Sequence, residues 1–420
     1  MFHLSDASVL NDDLRQLYRA LHRRPEVGLH LPQTQQTVLA ALDGLGLEIT
    51  TGTALSSVVA VLRGGRPGPA VLLRADMDAL PVAEATGLPY ASLRPGVMHA
   101  CGHDLHTAAL VGAARLLAGR GAELAGDVVF MFQPGEEGCD GARLMIEEGV
   151  LDAAGERVVA AYGLHVTAST LPTGIVATRP GTILAGSDGF DVTVTGRGGH
   201  GSSPHTAADP VTAACEMVTA LQTMVTRTVD ALDPAVLTIG SLHAGEARNV
   251  IPETAVLQAT VRTFSEATRA TVRRGVLRTV RGIADAHGVT ATVDYQDGYP
   301  VTVNDPAETA FATTAAAELL GPDRSITAPR PISGSEDFSF VLQQVPGAFL
   351  GVGACPAGQD PATAPMNHSP HAVYDDGVLP AAAALLATLA ARRLQRTAQS
   401  AAAGPTDAAV AVGTADAGEA

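Results

Sequence analysis

Apolar and polar positions divide the chain into segments of two textures. In the first, unbroken apolar runs of strand length alternate with helical patterns. "SVVAVLRG", "AVLLRAD", "DVVFMFQ" and "RVVAAYGLH" read as strands. His103 to Leu117, with Leu105, Ala108, Ala109 and Leu116 apolar, and "ARLMIEEG" read as helices. Apolar runs without alternation predict strands buried on both faces, so helices should cover this sheet from either side. Ahead of it, Leu14, Leu17, Tyr18 and Leu21 form the stripe of an amphipathic helix that ends before Pro25.

From about Gly186 the texture changes. In "FDVTVTG", Phe190, Val192 and Val194 face one way and Asp191, Thr193 and Thr195 the other. A helix follows, with Asp209 as N-cap and Pro210 at its first position. "VLTIGSL", "AVLQATVRTF", a helix from about Glu266 to His287 and "VTATVDY" complete a βαββαβ order. That is the ferredoxin-like pattern with one solvated sheet face. After "YQDGYPVTVND" the covered texture returns, with "GAFLGVG" as a buried strand and a long helix from about Gly377. The expected fold is α/β in two domains. A larger domain with a mixed sheet spans 1–183 and 298–397, and an α+β ferredoxin-like domain over 184–297 interrupts it. Residues 398–420 are rich in Ala, Gly and Thr and read as a disordered tail.

Composition narrows the function. The net charge of −16 argues against general binding to nucleic acid or an anionic membrane, which needs clustered cations. Every Lys/Arg position is Arg. The N-terminus lacks the basic head and apolar core of a signal peptide, and no apolar run reads as long enough to span a bilayer. Four cysteines in 420 residues make a poor disulfide framework. These features point to the cytoplasm.

Ligand-capable residues collect just after the strands. Asp76 and Asp78 follow "AVLLR", Glu136 and Glu137 follow "VVFMFQPG", and His165 closes "VVAAYGLH". "HACGHD" lies at a loop-to-helix junction, and His368 and His371 precede the last helix. Sites in open α/β sheets form at the carboxyl ends of strands, so these groups can converge. Singly, each has a bland reading. Adjacent glutamates are usually solvated surface, a histidine after a strand is usually structural, and a Cys-x-His run can simply start a helix. Together, Cys, His, Glu and His are the donors that borderline divalent metals choose. A redox reading of Cys101 is weaker, because the chain has no CxxC. Cys139 lies two residues past Glu137 and could approach a metal, but a structural role is the favoured reading, while Cys215 and Cys355 read as small buried hydrophobes. "GRGGHG" spells a dinucleotide fingerprint through Gly196, Gly198 and Gly201, but "SSPHTAA" intervenes where a helix should open. No stretch matches the GxSxG elbow of a serine hydrolase.

The motifs "HRRPEVGLH", "LRADMDALP", "MHACGHDLH", "QPGEEG", "GLHV", "GGHGSSPH", "NVIP", "SGSEDFSF" and "NHSP" occur in an order that resembles a known family. It is the amidohydrolase branch of the aminoacylase/carboxypeptidase metallopeptidases, which includes hippurate hydrolases, auxin-conjugate hydrolases and N-acyl-amino-acid deacetylases. The likeness covers roughly residues 12 to 395. It implies a catalytic domain with two divalent metals, Mn²⁺ or Zn²⁺ foremost and Ni²⁺ or Co²⁺ as alternatives. It also implies that the ferredoxin-like domain is a lid that forms a homodimer. By resemblance Cys101, His103, Glu137, His165 and His368 are metal ligands and Glu136 is the general base. Asp76 is a carboxylate orienting a ligand or the base, His200 an oxyanion donor reaching the partner subunit's site, and Asn249 a contact to the substrate carboxylate. The implied reaction is hydrolysis of an N-acyl amino acid to a carboxylic acid and an amino acid. The rivals are a dipeptidase or carboxypeptidase on the same core, a non-catalytic metal-binding protein, and a metal-free interaction module. The presence of Glu136 beside a ligand disfavours a pure metal binder.

Overall fold

The computed structural model describes residues 2–402. An eight-stranded mixed sheet forms the larger layer, in the order Glu48–Thr51, Val58–Leu62, Ala125–Gln133, Arg66–Asp76, Ala160–Pro172, Gly347–Cys355, Val176–Thr178, Ser325–Thr327. The four central strands are parallel. Both faces are covered, which is why their sequences do not alternate. Val71 and Leu73 join the core under helices Asn11–His22, His103–Ala118 and Leu379–Ala402, while Leu72 joins a second core with Met145 and Phe338.

Gly186–Thr195 starts a separate four-stranded antiparallel sheet, in the order Ala235–Ala244, Thr254–Thr263, Gly186–Thr195, Thr290–Gln296. Phe190, Val192 and Val194 are fully buried in a core shared with helices Pro210–Thr228 and Glu266–His287. The Asp209 side chain accepts from the Val211 N–H and caps the first of these helices. The chain is thus a two-domain α/β protein with an inserted ferredoxin-like unit.

Several expectations need correction. His165 does not close its strand, which runs on to Pro172, so His165 projects from mid-strand opposite Gly351. The last helix continues to Ala402, past the expected start of the tail at 398, and the rest of that tail lies outside the described residues. Asp376–Gln399 is long and apolar enough to cross a bilayer by length and composition, contrary to the reading of the sequence. Here 67% of its apolar window is buried, with Leu385, Leu386, Leu389 and Leu394 in the main core. Cys215 is exposed, because it falls on the outward face of its helix, whereas Cys355 is buried as expected.

Candidate active site

Two parallel strands end at one crevice. Arg66–Asp76 delivers Asp76 as its last residue and Asp78 just beyond. Ala125–Gln133 leads into a turn whose Gly135 and Gly138 adopt φ of 73° and 78°. That turn is pinned by Asp78, whose two carboxylate oxygens each accept a backbone N–H at 3.0 Å, from Glu136 and from Glu137. Gly102 separates Cys101 from His103 and has φ 82°. A Cβ there would lie 2.5 Å from Val166 Cγ2, so only glycine lets the helix His103–Ala118 start this close to the His165 strand. His368 arrives from the opposite side at φ 70°, its N–H donating to the Ala100 carbonyl at 2.8 Å. A non-glycine residue in this region carries local backbone strain that the surrounding structure must hold in place.

The side chains converge. Cys101 Sγ lies 3.4 Å from His165 Nε2 and 3.3 Å from His368 Nε2. His368 Nε2 is 3.2 Å from Glu137 Oε1. His103 Nε2 is 4.0 Å from both Glu136 Oε2 and Glu137 Oε1, and its Nδ1 is 3.5 Å from Asp78 Oδ1. His165 Nδ1 donates to the Val166 carbonyl at 2.8 Å, which leaves Nε2 free to act as a ligand.

Charge is concentrated here. Burial works against ionisation of Cys101, yet the His165 and His103 imidazoles draw its thiol down to about 6. Bonds to Cys101 and Glu137 lift His368 to about 10. Burial, with Glu336 and Glu137 close by, holds the Glu136 carboxyl well above the usual range. Glu137 moves the other way: burial opposes it, but His368 and His103 lower it. His106 is a neutral brace. Burial pushes it down to about 4, its Nδ1 donates to Asp76 at 2.6 Å, and its Nε2 accepts the Val166 N–H at 2.7 Å.

These residues fit a divalent metal. Both ring nitrogens of His103 are buried without a hydrogen-bond partner. Unpaired buried polar atoms are costly and require an explanation. Donor atoms 3.2 to 4.0 Å apart suit ligands of one ion that sits about 2.0–2.3 Å from each. Cys101, His103 and His165 form one such triad, Cys101, Glu137 and His368 another, and His103, Glu136 and Glu137 a third. A thiolate, imidazoles and a carboxylate suit Zn²⁺, Mn²⁺, Co²⁺ or Ni²⁺.

The structure therefore brings Cys101, His103, Glu136, Glu137, His165 and His368 to one place. Asp76 is beside them, but it bonds to Arg74 and His106 and faces His103 Nε2 at 3.6 Å, with no bond to Glu136. The carboxylate that positions the Glu136 backbone is Asp78, and its place two residues after the strand was the available signal. His200 and Asn249 lie elsewhere, both exposed on the small domain, where the Gly201 N–H donates to the Asn249 carbonyl at 2.8 Å. Neither lines the cavity of about 1040 Å³ in front of the metal-ligand candidates. Arg262 does line it, and no local motif marked it. It is half-buried, burial lowers its pKa, and its one described hydrogen bond goes to Ser335 Oγ at 3.4 Å.

Comparison with known proteins is consistent with this geometry. The model of the peptidase family M20/M25/M40 matches residues 72–392. The chain belongs to this family. Within the M20 family it falls in the amidohydrolase branch and is a metal-dependent hydrolase of amide bonds. It is 39% identical over 380 residues to IAA-amino acid hydrolase ILR1-like 4 of Arabidopsis thaliana, covering 90% of this chain and 84% of that protein. It is 36% identical over 390 residues to thermostable carboxypeptidase 2 of Saccharolobus solfataricus, covering 92% and 96%. Among solved structures it resembles the YXEP protein of Bacillus subtilis, a dinuclear metal binding peptidase from the M20 family. The TM-score is 0.79 and the identity 33%, over 92% of this chain and 99% of that one.

Proposed function

We propose that this M20 enzyme hydrolyses N-acyl amino acids, of hippurate or N-acetyl-amino-acid type, to a carboxylic acid and an amino acid. One observation carries the reading: four of the metal-ligand candidates, Cys101, Glu137, His165 and His368, line the same cavity as Arg262, a half-buried cation with no ion pair among the described residues. An unpaired cation in a cavity invites an anion, and the α-carboxylate of an amino acid supplies one. The same cavity is also lined by Leu171, Ile183, Leu184, Ile332 and Phe349. A neutral acyl cap suits that wall better than the charged amine of a free peptide would.

Cys101, His103, Glu137, His165 and His368 hold two divalent ions, Mn²⁺ or Zn²⁺ in the first instance and Co²⁺ or Ni²⁺ as alternatives. When bound, the ions polarise the amide carbonyl and lower the pKa of a water. Glu136 takes the proton from the attacking water and passes it to the leaving nitrogen. Asp78 holds the Glu136 and Glu137 backbones, and Asp76 fixes His106 and faces His103. Asn249 and His200 act from the lid of a second subunit, Asn249 on the substrate carboxylate and His200 on the developing oxyanion. The exposed edge strand Ala235–Ala244, with Val236 49% and Leu242 40% exposed, offers the pairing edge for such a homodimer. Four free cysteines, one of them a ligand, suit a reducing compartment such as the cytoplasm.

The test compares three substrates on metal-reconstituted enzyme: an N-acyl amino acid, its α-carboxamide, and the free dipeptide of matching size. The reading predicts fastest turnover of the first, with Arg262→Gln erasing its advantage over the carboxamide. Preference for the free dipeptide would instead establish a dipeptidase.

A further inference from the structure

We infer that His22, remote in sequence from every proposed ligand, is a positioning residue that keeps the two halves of the metal-ligand set at their working separation. The inference rests on the two-metal reading above. His22 ends the helix Asn11–His22 and is 1% exposed. Both of its ring nitrogens are engaged by carboxylates. Nδ1 lies 2.7 Å from Asp104 Oδ2, and Nε2 lies 3.2 Å from Glu84 Oε1.

Each carboxylate leads to a different side of the metal centre. Asp104 directly follows His103 in the first turn of the helix that Cys101 precedes. Glu84 directly precedes Ala85, whose N–H donates to the Pro370 carbonyl at 2.8 Å. The Ala85 carbonyl also meets His371 Nδ1 at 3.0 Å. That second segment carries His368. One imidazole thus ties the Cys101–His103 side to the His368 side from behind.

The tie is stiff. With both nitrogens bonded, the ring cannot turn without losing a partner. Glu84 is itself fixed, because its other oxygen accepts the Ser92 N–H at 2.6 Å. Burial disfavours a charge on His22, but the bonds to Asp104 and Glu84 outweigh it and lift the imidazole to about 9, so it donates to both. A metal site tolerates errors of only about 0.5 Å in its supporting shell, so slack between Glu84 and Asp104 should be felt at the ions.

The experiment titrates apo protein with Zn²⁺ or Mn²⁺ by calorimetry, with the apo melting temperature measured in parallel. Glu84→Ala cuts the arm toward His368, together with the Glu84 bonds to Ser92 and Thr86, and leaves the His22–Asp104 arm in place. In His22→Asn the amide nitrogen reaches where Nδ1 was and keeps Asp104, while His22→Gln keeps Glu84 and releases Asp104. Wild type should take up two ions. Glu84→Ala and His22→Asn should keep one tight ion and bind the other at least about tenfold more weakly, a change of about 1.4 kcal/mol. His22→Gln should weaken both ions. The apo melting temperature of Glu84→Ala should fall, because His22 and the Ser92 N–H each lose a partner, while one ion keeps its wild-type affinity. Two ions at wild-type affinity in Glu84→Ala overturns the inference, as does a weakening of both ions together with the loss of apo stability. If the His22 variants do not fold, Glu84→Ala decides alone. A wild-type chain that binds fewer than two ions overturns the two-metal reading itself, and this inference with it.

Discussion

At the residue scale, neighbours with the same chemistry are given different work. Glu136 and Glu137 share a turn, yet their surroundings push their carboxyls in opposite directions. Glu136→Gln should keep metal and lose turnover by about a hundredfold or more, the usual consequence of removing a general base. Glu137→Gln should lose metal affinity first. Elemental analysis beside a hydrolysis assay separates the two, and the reverse pattern would mean that the roles are exchanged. His22 gives a pH prediction for the apo protein. Its imidazole is raised to about 9 from an ordinary 6.5, so its stabilisation is complete below 6.5 and is lost as pH rises through 9. Its partner Glu84 is lowered to about 2 from an ordinary 4.5, so that share is present above 4.5 and lost as pH falls through 2. Asp104, also held below the carboxylate range, loses its share in the same direction as Glu84. The melting-temperature gap between wild type and His22→Gln should therefore be widest between 4.5 and 6.5 and close above 9. A gap that widens in alkali would contradict the assignment. Tyr18, Tyr90 and His99 also face His22, but Tyr18 and Tyr90 have pKa values raised by burial and His99 is lowered to about 4, so none of them shares that alkaline transition.

At the scale of elements, the start of the helix His103–Ala118 is the most constrained feature of the site. Gly102→Ala would force a Cβ to 2.5 Å from Val166 Cγ2 in a left-handed conformation. Overpacking of this kind typically costs 1–3 kcal/mol, and the shift that relieves it moves Cys101 and His103 apart. The variant should fold with a lowered melting temperature and a metal affinity reduced by at least about tenfold, as about 1.4 kcal/mol of the strain would do. Unchanged affinity would show that the junction is slack. Much of this was legible in the sequence. Unbroken apolar runs gave strands covered on both faces, strict alternation gave the lid sheet, and strand ends gave the carboxylates. What escaped depended on contacts between distant segments. Arg262 sits in a lid strand and becomes a cavity residue only because that strand folds beside Ser335. His22 reaches Asp104 across 82 positions, and no local pattern encodes such a contact. The length of the His165 strand was misjudged because "HVTASTLP" is polar enough to resemble a loop, while pairing with Gly347–Cys355 keeps it extended.

At the scale of the whole molecule, the proposed mechanism requires the small domain of one subunit to meet the metal centre of another. His200 and Asn249 are exposed on the lid and absent from the cavity of their own chain. If His200 serves a partner's site, mixing inactive His200→Ala with inactive Glu136→Gln under subunit exchange should restore activity, because each heterodimer then holds one intact site. Verified exchange without recovery would place His200 outside the mechanism or within its own chain. The central claim is that hydrolysis depends on two ions held by Cys101, His103, Glu137, His165 and His368. Its most direct test is a titration of metal-free protein with Zn²⁺ or Mn²⁺ while hydrolysis of an N-acyl amino acid is followed. The account predicts no turnover in the apo protein, and activity that rises with added ion and levels off at two equivalents per chain. Full turnover by protein shown to be metal-free by elemental analysis would contradict it.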